Sequence, residues 1–428
     1  MSQDYTFEGG TPMKENKGMD RREFMKRTGA TAAMLGLFPS VFNVARAQAK
    51  PTADQVIKGK DPRLIVHNTS TGVLETPLEL LREHEITPKE LLYVRNNQVL
   101  AGGKTLEPIP LKGWFIEIVG LVHRPAKIEA TALKEFPQHE VTMVLQCSGN
   151  GRGFFAKYSK KTSGTQWKHG GMGQTVWKGP KLKDVLEKYK VEVYEPAAKF
   201  LTANGRDEPS GKKPDFEHSL PWTDPYVREN AILAIEMNGE PIPAVHGGPV
   251  RLIVPGYYGT MNVKWVGTLR FEAHETYNYN QIPRYRVPLY PVEPGKFSKK
   301  DYTFENSRPN WHQKIKAVIF APLDGEKVSA GLVRVKGVAF NDGVVPIEQV
   351  QVSTDMGKTW TTAALKPGKS TFEWTYFEAP LVLKKGEVEI WVRAVDKLGR
   401  AQPLDGGIHW NPSGYEWNGA DRIKVTVS

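Results

Sequence analysis

One cysteine, Cys147, stands among 428 residues. It follows the apolar run Val141-Thr-Met-Val-Leu145 and sits in Gln146-Cys-Ser-Gly-Asn-Gly-Arg-Gly153. A lone thiol forms no internal disulfide, and the zinc sites legible in a sequence draw three or four Cys and His ligands at short spacing, which this chain lacks. A metal at this cysteine must therefore bring most of its own ligands. The competing reading of a solitary cysteine is a small buried hydrophobe. The surroundings favour the metal. Gly149, Gly151 and Gly153 let backbone approach a ligand closely, and Arg152 adds a permanently charged donor fork to the same segment.

The elements that must hold this segment read as short strands joined by turns, because 40 glycines and 31 prolines are scattered along the chain. Trp114–Val119 and Pro249–Val254 have strand character, the second closed by Pro255-Gly256. Lys181–Tyr189 reads as a helix, with Leu182, Val185, Leu186 and Tyr189 on one face behind Gly179-Pro180. These patterns predict an α+β domain over residues 50–313. Its last stretch, from about Tyr277 to Gln313, is a Tyr-, Pro- and Lys-rich connection without clean periodicity. From Lys314 onward short alternating strands (Ala317–Phe320, Leu332–Lys336, Gln349–Val352 and Val388–Ala394) are separated by Asp324-Gly325, Asp342-Gly343 and Met356-Gly357 turns. That pattern predicts an immunoglobulin-like β-sandwich over residues 314–428.

The N-terminus carries its own signal. Asp20-Arg21-Arg22-Glu23-Phe24-Met25-Lys26 is a charged segment with paired arginines, Thr28–Val44 is weakly apolar, and Ala47-Gln48-Ala49 offers a small-x-small cleavage site. A twin-arginine signal over residues 1–49 is expected, and with it export of the folded chain to the periplasm. The formal net charge is +11; residues 1–49 hold seven Lys/Arg and five Asp/Glu, a net of +2, which leaves +9 for the remainder. Such a balance steers anionic substrates or partners. No nucleic-acid motif accompanies it, and no apolar run is long enough to span a membrane.

Three motifs in order, Gln146-Cys-Ser-Gly-Asn-Gly-Arg152, His246-Gly-Gly-Pro-Val-Arg251 and Val263-Lys-Trp265, resemble the sulfite oxidase family of molybdenum enzymes. The similarity runs from about Leu80 to the C-terminus, where Val352-Ser-Thr-Asp-Met-Gly-Lys-Thr-Trp360 resembles that family's dimerisation domain and implies a homodimer. The resemblance implies molybdenum bound by molybdopterin, a pyranopterin dithiolene that supplies two sulfurs while Cys147 supplies the protein's thiolate. Soft sulfur donors suit this metal. It further implies a cofactor cradle of Tyr93, Val94, Arg95, Asn96, Asn97, Asp207, His246, Arg251, Asn262, Val263 and Lys264. The amide-like edges of a pterin give Asp207 donors to accept from, and its phosphate suits Arg251 and His246.

For the substrate, Arg95 and Arg152 match the family's anion-holding arginines, and Tyr285 in Gln281-Ile-Pro-Arg-Tyr285 matches its active-site tyrosine. Two guanidinium forks can clamp a small oxyanion through hydrogen bonds worth roughly 1.5 to 3 kcal/mol each, and a tyrosine hydroxyl can carry protons. Two positions depart from the pattern. Asn97 stands where animal and plant members carry histidine, and Ser413 where they carry a further arginine. No haem is expected in this chain, so electrons would leave to a c-type cytochrome. The expectation is a periplasmic sulfite dehydrogenase. Its alternatives are the molybdenum subunit of a thiosulfate-oxidising multienzyme system, acting on protein-bound sulfane sulfur, and a non-catalytic periplasmic anion-binding module.

Overall fold

A computed structural model describes residues 50–210 and 213–428; the export signal expected over residues 1–49 lies outside them. Residues 50–428 form one compact unit. The described chain is mostly β. Its α-helices run four to seven residues, and the longest, Leu182–Lys188, coincides with the amphipathic pattern and buries Leu182, Val185 and Leu186. Helices this short draw their stability from the apolar face they bury rather than from propensity.

The N-terminal half is built on two sheets. In the five-stranded sheet the order is Ala126–Glu129, Phe115–Gly120, Val266–Glu272, Phe200–Gly205 and Glu217–Pro221, with one parallel pair, Phe115–Gly120 against Val266–Glu272. Ile116, Ile118, Leu201, Ala203, Leu269 and Phe271 project from it into the largest apolar core, which the Leu182–Lys188 helix also covers. In the second sheet His139–Gln146 pairs antiparallel with Met172–Gly179 over eight residues, from His139 opposite Gly179 to Gln146 opposite Met172. That pairing fixes where the strand ends, and the chain leaves it at Cys147.

From Lys316 the chain forms two further sheets. One contains Lys316–Ala321, Gly331–Phe340 and Thr375–Leu383; the other contains Asp421–Val427, Gly386–Asp396 and Ile347–Ser353. Alternate residues of both, among them Val335, Val350, Phe377, Val392 and Val425, interlock in a shared core. A separate cluster joins the two halves: Leu81, Val144 and Met172 pack on Val318, Phe320, Val338, Phe340 and Trp374. The tract read as a connection holds one short ladder, Arg286–Pro288 with Ser307–Pro309. That ladder anchors the segment bearing Tyr285.

Candidate functional site

The cysteine loop is set by main-chain bonds. Cys147 N–H donates to Gly171 O at 2.8 Å and Asn150 N–H to Cys147 O at 2.9 Å, which closes a turn directly after the strand. Gly151 takes a φ of +89°, and a Cβ there would meet Trp417 Cε3 at 2.4 Å, so both conformation and contact require glycine. Gln146 and Asn150 flank the sulfur and are tied to each other at 3.2 Å. The ammonium of Lys316, fully buried, donates to Gln146 Oε1 at 2.8 Å and Asn150 O at 3.2 Å.

Cys147 opens onto a cleft of about 650 Å³, counted to its open mouth, which gathers most of the residues expected from the sequence. Tyr93, Arg95, Asn96, Asn97, Asp207, His246, Arg251, Asn262, Lys264 and Tyr285 line it together with Cys147. Val94 and Val263 are buried next to Arg95 and Lys264 but lie outside the lining. Arg152 is also outside it. Its Nε donates to Ser413 O at 2.9 Å and its Nη1 to Thr165 O at 3.0 Å, with the guanidinium 5.0 Å from the Tyr415 ring. Gln98, Leu145, Phe216, Gly259, Thr260 and Trp265, none of them among the expected site residues, complete the walls.

Arg251 and Lys264 bring positive charge to the cleft. Arg251 donates from Nε to Asn262 O at 3.0 Å and from Nη1 to His246 O at 2.8 Å. Lys264 donates to Asn96 Oδ1 and Val245 O, both at 2.7 Å. Gly247, at φ +103°, ends the turn that bears His246; a Cβ there would strike Lys264 Cβ at 2.8 Å, so the bare backbone lets histidine and lysine approach. Behind His246 lies Lys60, 3.3 Å from its Nε2 and otherwise bonded to the main-chain oxygens of Lys89 and Leu92. Burial, and secondarily Lys60, hold the His246 imidazole well below its ordinary range, so it stays neutral. Burial pushes Lys60 down to about 7 and Arg251 to about 10. Burial first, then Arg251, Lys60 and Arg95, hold Lys264 well below the usual lysine value.

Ion pairs of this protein lie elsewhere. Arg270, Arg286, Arg308 and Arg400 face carboxylates at 2.5 to 2.9 Å. Among the described residues, none of Lys60, Arg95, Arg152, Arg251, Lys264 and Arg284 forms an ion pair with a carboxylate. The one acid in the lining, Asp207, accepts from Phe216 N–H at 2.8 Å through Oδ1, while its buried Oδ2 has no partner. Burial pushes its carboxyl up to about 6. Thr260 Oγ1, also in the lining, is buried without a partner too.

Tyr285 stands with a φ of +54°, costly for an aromatic residue and held by packing. Its ring stacks on Tyr415 at 5.2 Å and meets the edges of Phe216 and His218 at 5.8 and 5.2 Å. Asn97 Nδ2 donates to its hydroxyl at 2.7 Å. Arg95 Nη2 donates to Asn97 Oδ1 at 2.7 Å and its Nη1 bonds Asn96 O.

Comparison with known proteins gives the family. Residues 105–280 match the oxidoreductase molybdopterin binding domain, and residues 308–428 the Mo-co oxidoreductase dimerisation domain. The mitochondrial sulfite oxidase of Macaca fascicularis is 31% identical over 390 residues, covering 88% of this chain and 68% of that protein. The sulfite oxidase of Arabidopsis thaliana is 28% identical over 378 residues, covering 83% of this chain and 92% of that protein. The crystal structure of the sulfane dehydrogenase SoxCD from Paracoccus pantotrophus superposes with a TM-score of 0.69 at 23% identity, covering 92% of this chain and 96% of that one, a likeness of fold.

The cleft suits molybdopterin. An unpaired buried carboxylate oxygen can accept from a pterin edge, cations without counter-ions can hold a phosphate, and one thiol opens onto the same space. Among the described residues no group of three or more His, Cys, Asp or Glu is arranged to hold a metal ion, in keeping with a metal that brings its own sulfurs. By its domains and its relatives the chain belongs to the sulfite oxidase family of molybdenum oxidoreductases, whose cofactor is molybdenum held by molybdopterin.

Proposed function

We propose that this protein oxidises sulfite to sulfate in the periplasm and passes the electrons to a c-type cytochrome. The observation that carries the reading is a cleft opening on Cys147 whose arginines and lysine form no ion pair with a carboxylate among the described residues, an arrangement that suits anionic ligands. Cys147 would hold the metal. Asp207 Oδ2 would accept from the pterin, Arg251, His246 and Lys264 would surround its phosphate, and the chain at Tyr93–Asn97 and Asn262–Lys264 would form the walls. The side-chain amide of Asn262 is spent on Tyr257 O, Tyr258 O and Val254 N, so it shapes its own loop. When bound, the cofactor supplies oxygen-atom transfer and accepts two electrons.

The chain's own residues do the rest. Arg95 holds the anion at the Tyr285 end, and Arg152 adds positive charge from behind the cysteine loop. The Tyr285 hydroxyl donates a hydrogen bond to oxygen of the bound anion, and it can relay to solvent the protons that water gives up during turnover. Leu145, Phe216 and Trp265 keep the reacting space poor in water, which strengthens each of these contacts. We assign residues 50–313 to an α+β catalytic domain, 314–428 to an immunoglobulin-like dimerisation domain that pairs two copies, and 1–49 to twin-arginine export. Among the described residues no helix is long and apolar enough to cross a membrane.

Purified protein assayed for molybdenum and for sulfite-dependent ferricyanide reduction tests the reading; about one metal per chain with turnover is expected, and matured protein without molybdenum would refute it. A second reading, oxidation of sulfane sulfur carried on a partner protein, draws on Tyr279, 42% exposed beside Arg284. An exposed aromatic beside an arginine that bonds Asn97 of the cleft wall suits a protein substrate. Free sulfite turnover separates the two.

A further inference from the structure

One guanidinium beside the cleft belongs to none of the roles above. Arg284 Nη2 donates to Asn97 Oδ1 at 2.8 Å, the same oxygen that receives Arg95 Nη2 at 2.7 Å. Two arginines thus converge on one neutral acceptor. The charge of Arg284 lies over the rings of Tyr279 and Tyr285 at 5.5 and 5.3 Å, and its Nη1 reaches Asn280 Oδ1 at 3.5 Å. All these partners are neutral. Lys299 adds to the positive charge: burial first, then Arg152 and Arg284, push its ammonium down to about 8. Like charges gathered in partly dry protein repel unless an anion is shared among them.

We infer that Arg284 is the outer arm of an anion clamp whose inner arm is Arg95, the two joined through Asn97, and that it selects small oxyanions at the mouth of the cleft. The clamp rests on the function proposed above only for which oxyanion is turned over. Asn97 gives its carbonyl to both guanidiniums and its amide to Tyr285, so one side chain sets the spacing of two cations and a hydroxyl, with Arg95 and Tyr285 in the cleft and the charge of Arg284 just outside it. Because Arg284 lies outside the lining of the cleft and reaches it through Asn97 and Tyr285, it acts on entry and affinity rather than on the metal.

The test uses cofactor-loaded protein and its Arg284→Gln and Arg284→Lys variants, with sulfate binding measured by titration calorimetry beside molybdenum content. Arg284→Gln should weaken sulfate by about tenfold or more, and Arg284→Lys, which keeps the charge but loses the fork, should fall between. Molybdenum per chain should stay the same, and the sulfite KM should rise in parallel while kcat changes less than about threefold. Wild-type protein that binds no sulfate, or variants with wild-type sulfate affinity, overturn the clamp. If Arg284→Gln fails to fold, Arg284→Lys alone decides on the same criterion. The sulfite reading fails separately: Arg284-dependent sulfate binding without sulfite turnover keeps the clamp and removes the substrate.

Discussion

Asn97 donates through Nδ2 to the hydroxyl oxygen of Tyr285 at 2.7 Å. The orientation of the amide is forced, because its Oδ1 faces the guanidiniums of Arg95 and Arg284, which can only donate. The tyrosine oxygen therefore receives a hydrogen bond, and its own hydrogen remains available to a ligand in the cleft. A titratable histidine at this position would change role with pH, whereas an amide keeps one role throughout.

Replacing Asn97 should then weaken the anion site without emptying the metal site. Asn97→Ala is expected to raise the sulfite KM by about tenfold to a hundredfold, the loss of one or two charge-assisted contacts, with molybdenum content unchanged. Asn97→Asp should be more severe, since its carboxylate would pair with both arginines and offset one of their two charges. Steady-state kinetics beside metal analysis check both.

Cys147→Ser should separate metal binding from folding. Cys147 is buried but its loop is fixed by main-chain bonds and by Lys316, so the circular dichroism spectrum should persist. Molybdenum per chain should fall, and sulfite turnover should fall by about a hundredfold or more, because a hydroxyl is a hard ligand where a soft one is needed. A variant with the parent's metal content and the parent's turnover would contradict the assignment of the thiolate.

Asp207 gives a pH-dependent signature in protein produced without cofactor. Its folded pKa, about 6, lies above the ordinary 3.8 because burial disfavours the carboxylate. Stability from this group is complete below about pH 3.8 and is lost as pH rises through about 6. Asp207→Asn should therefore be more stable than the parent above pH 6, by about 3 kcal/mol at most, and should gain nothing near pH 3.5. The same substitution should lower cofactor content. Urea melts across that pH range measure the first effect and metal analysis the second.

Lys316 should show the opposite sign. Burial depresses its ammonium to about 7 from an ordinary 10.5, so between those values the unfolded chain holds more protons and stability rises with pH. Lys316→Met should lose that rise. It also leaves Asn150 O without its buried donor, at a cost of about 1 to 3 kcal/mol. The variant should accordingly fall further behind the parent as pH increases from about 7 to about 9.5. Chemical denaturation over that interval, where a constant or shrinking difference would count against the assignment, provides the check.

Most residues of this site were named through the resemblance that short motifs carry to the sulfite oxidase family; the residues by themselves pointed to Cys147, its glycines and Arg152. A strand that ends at Cys147 and glycines that let the chain turn are set within a single segment, where residue type constrains geometry directly. The strand and helix patterns held for the same reason: Leu182–Lys188, Phe115–Gly120 and Gly386–Asp396 carry their periodicity in consecutive residues. Tertiary structure alone decided the partners. Lys60 meets His246 across 186 residues, Lys316 meets Gln146 across 170, and Asn97 meets Tyr285 and Arg284 across 188 and 187. Arg152, adjacent to the cysteine loop in sequence, spends two donors on Ser413 and Thr165 main-chain oxygens instead of lining the cleft. Local sequence limits which conformations a segment can take, but which distant charge faces which acceptor follows from how the sheets pack and what that packing excludes from water.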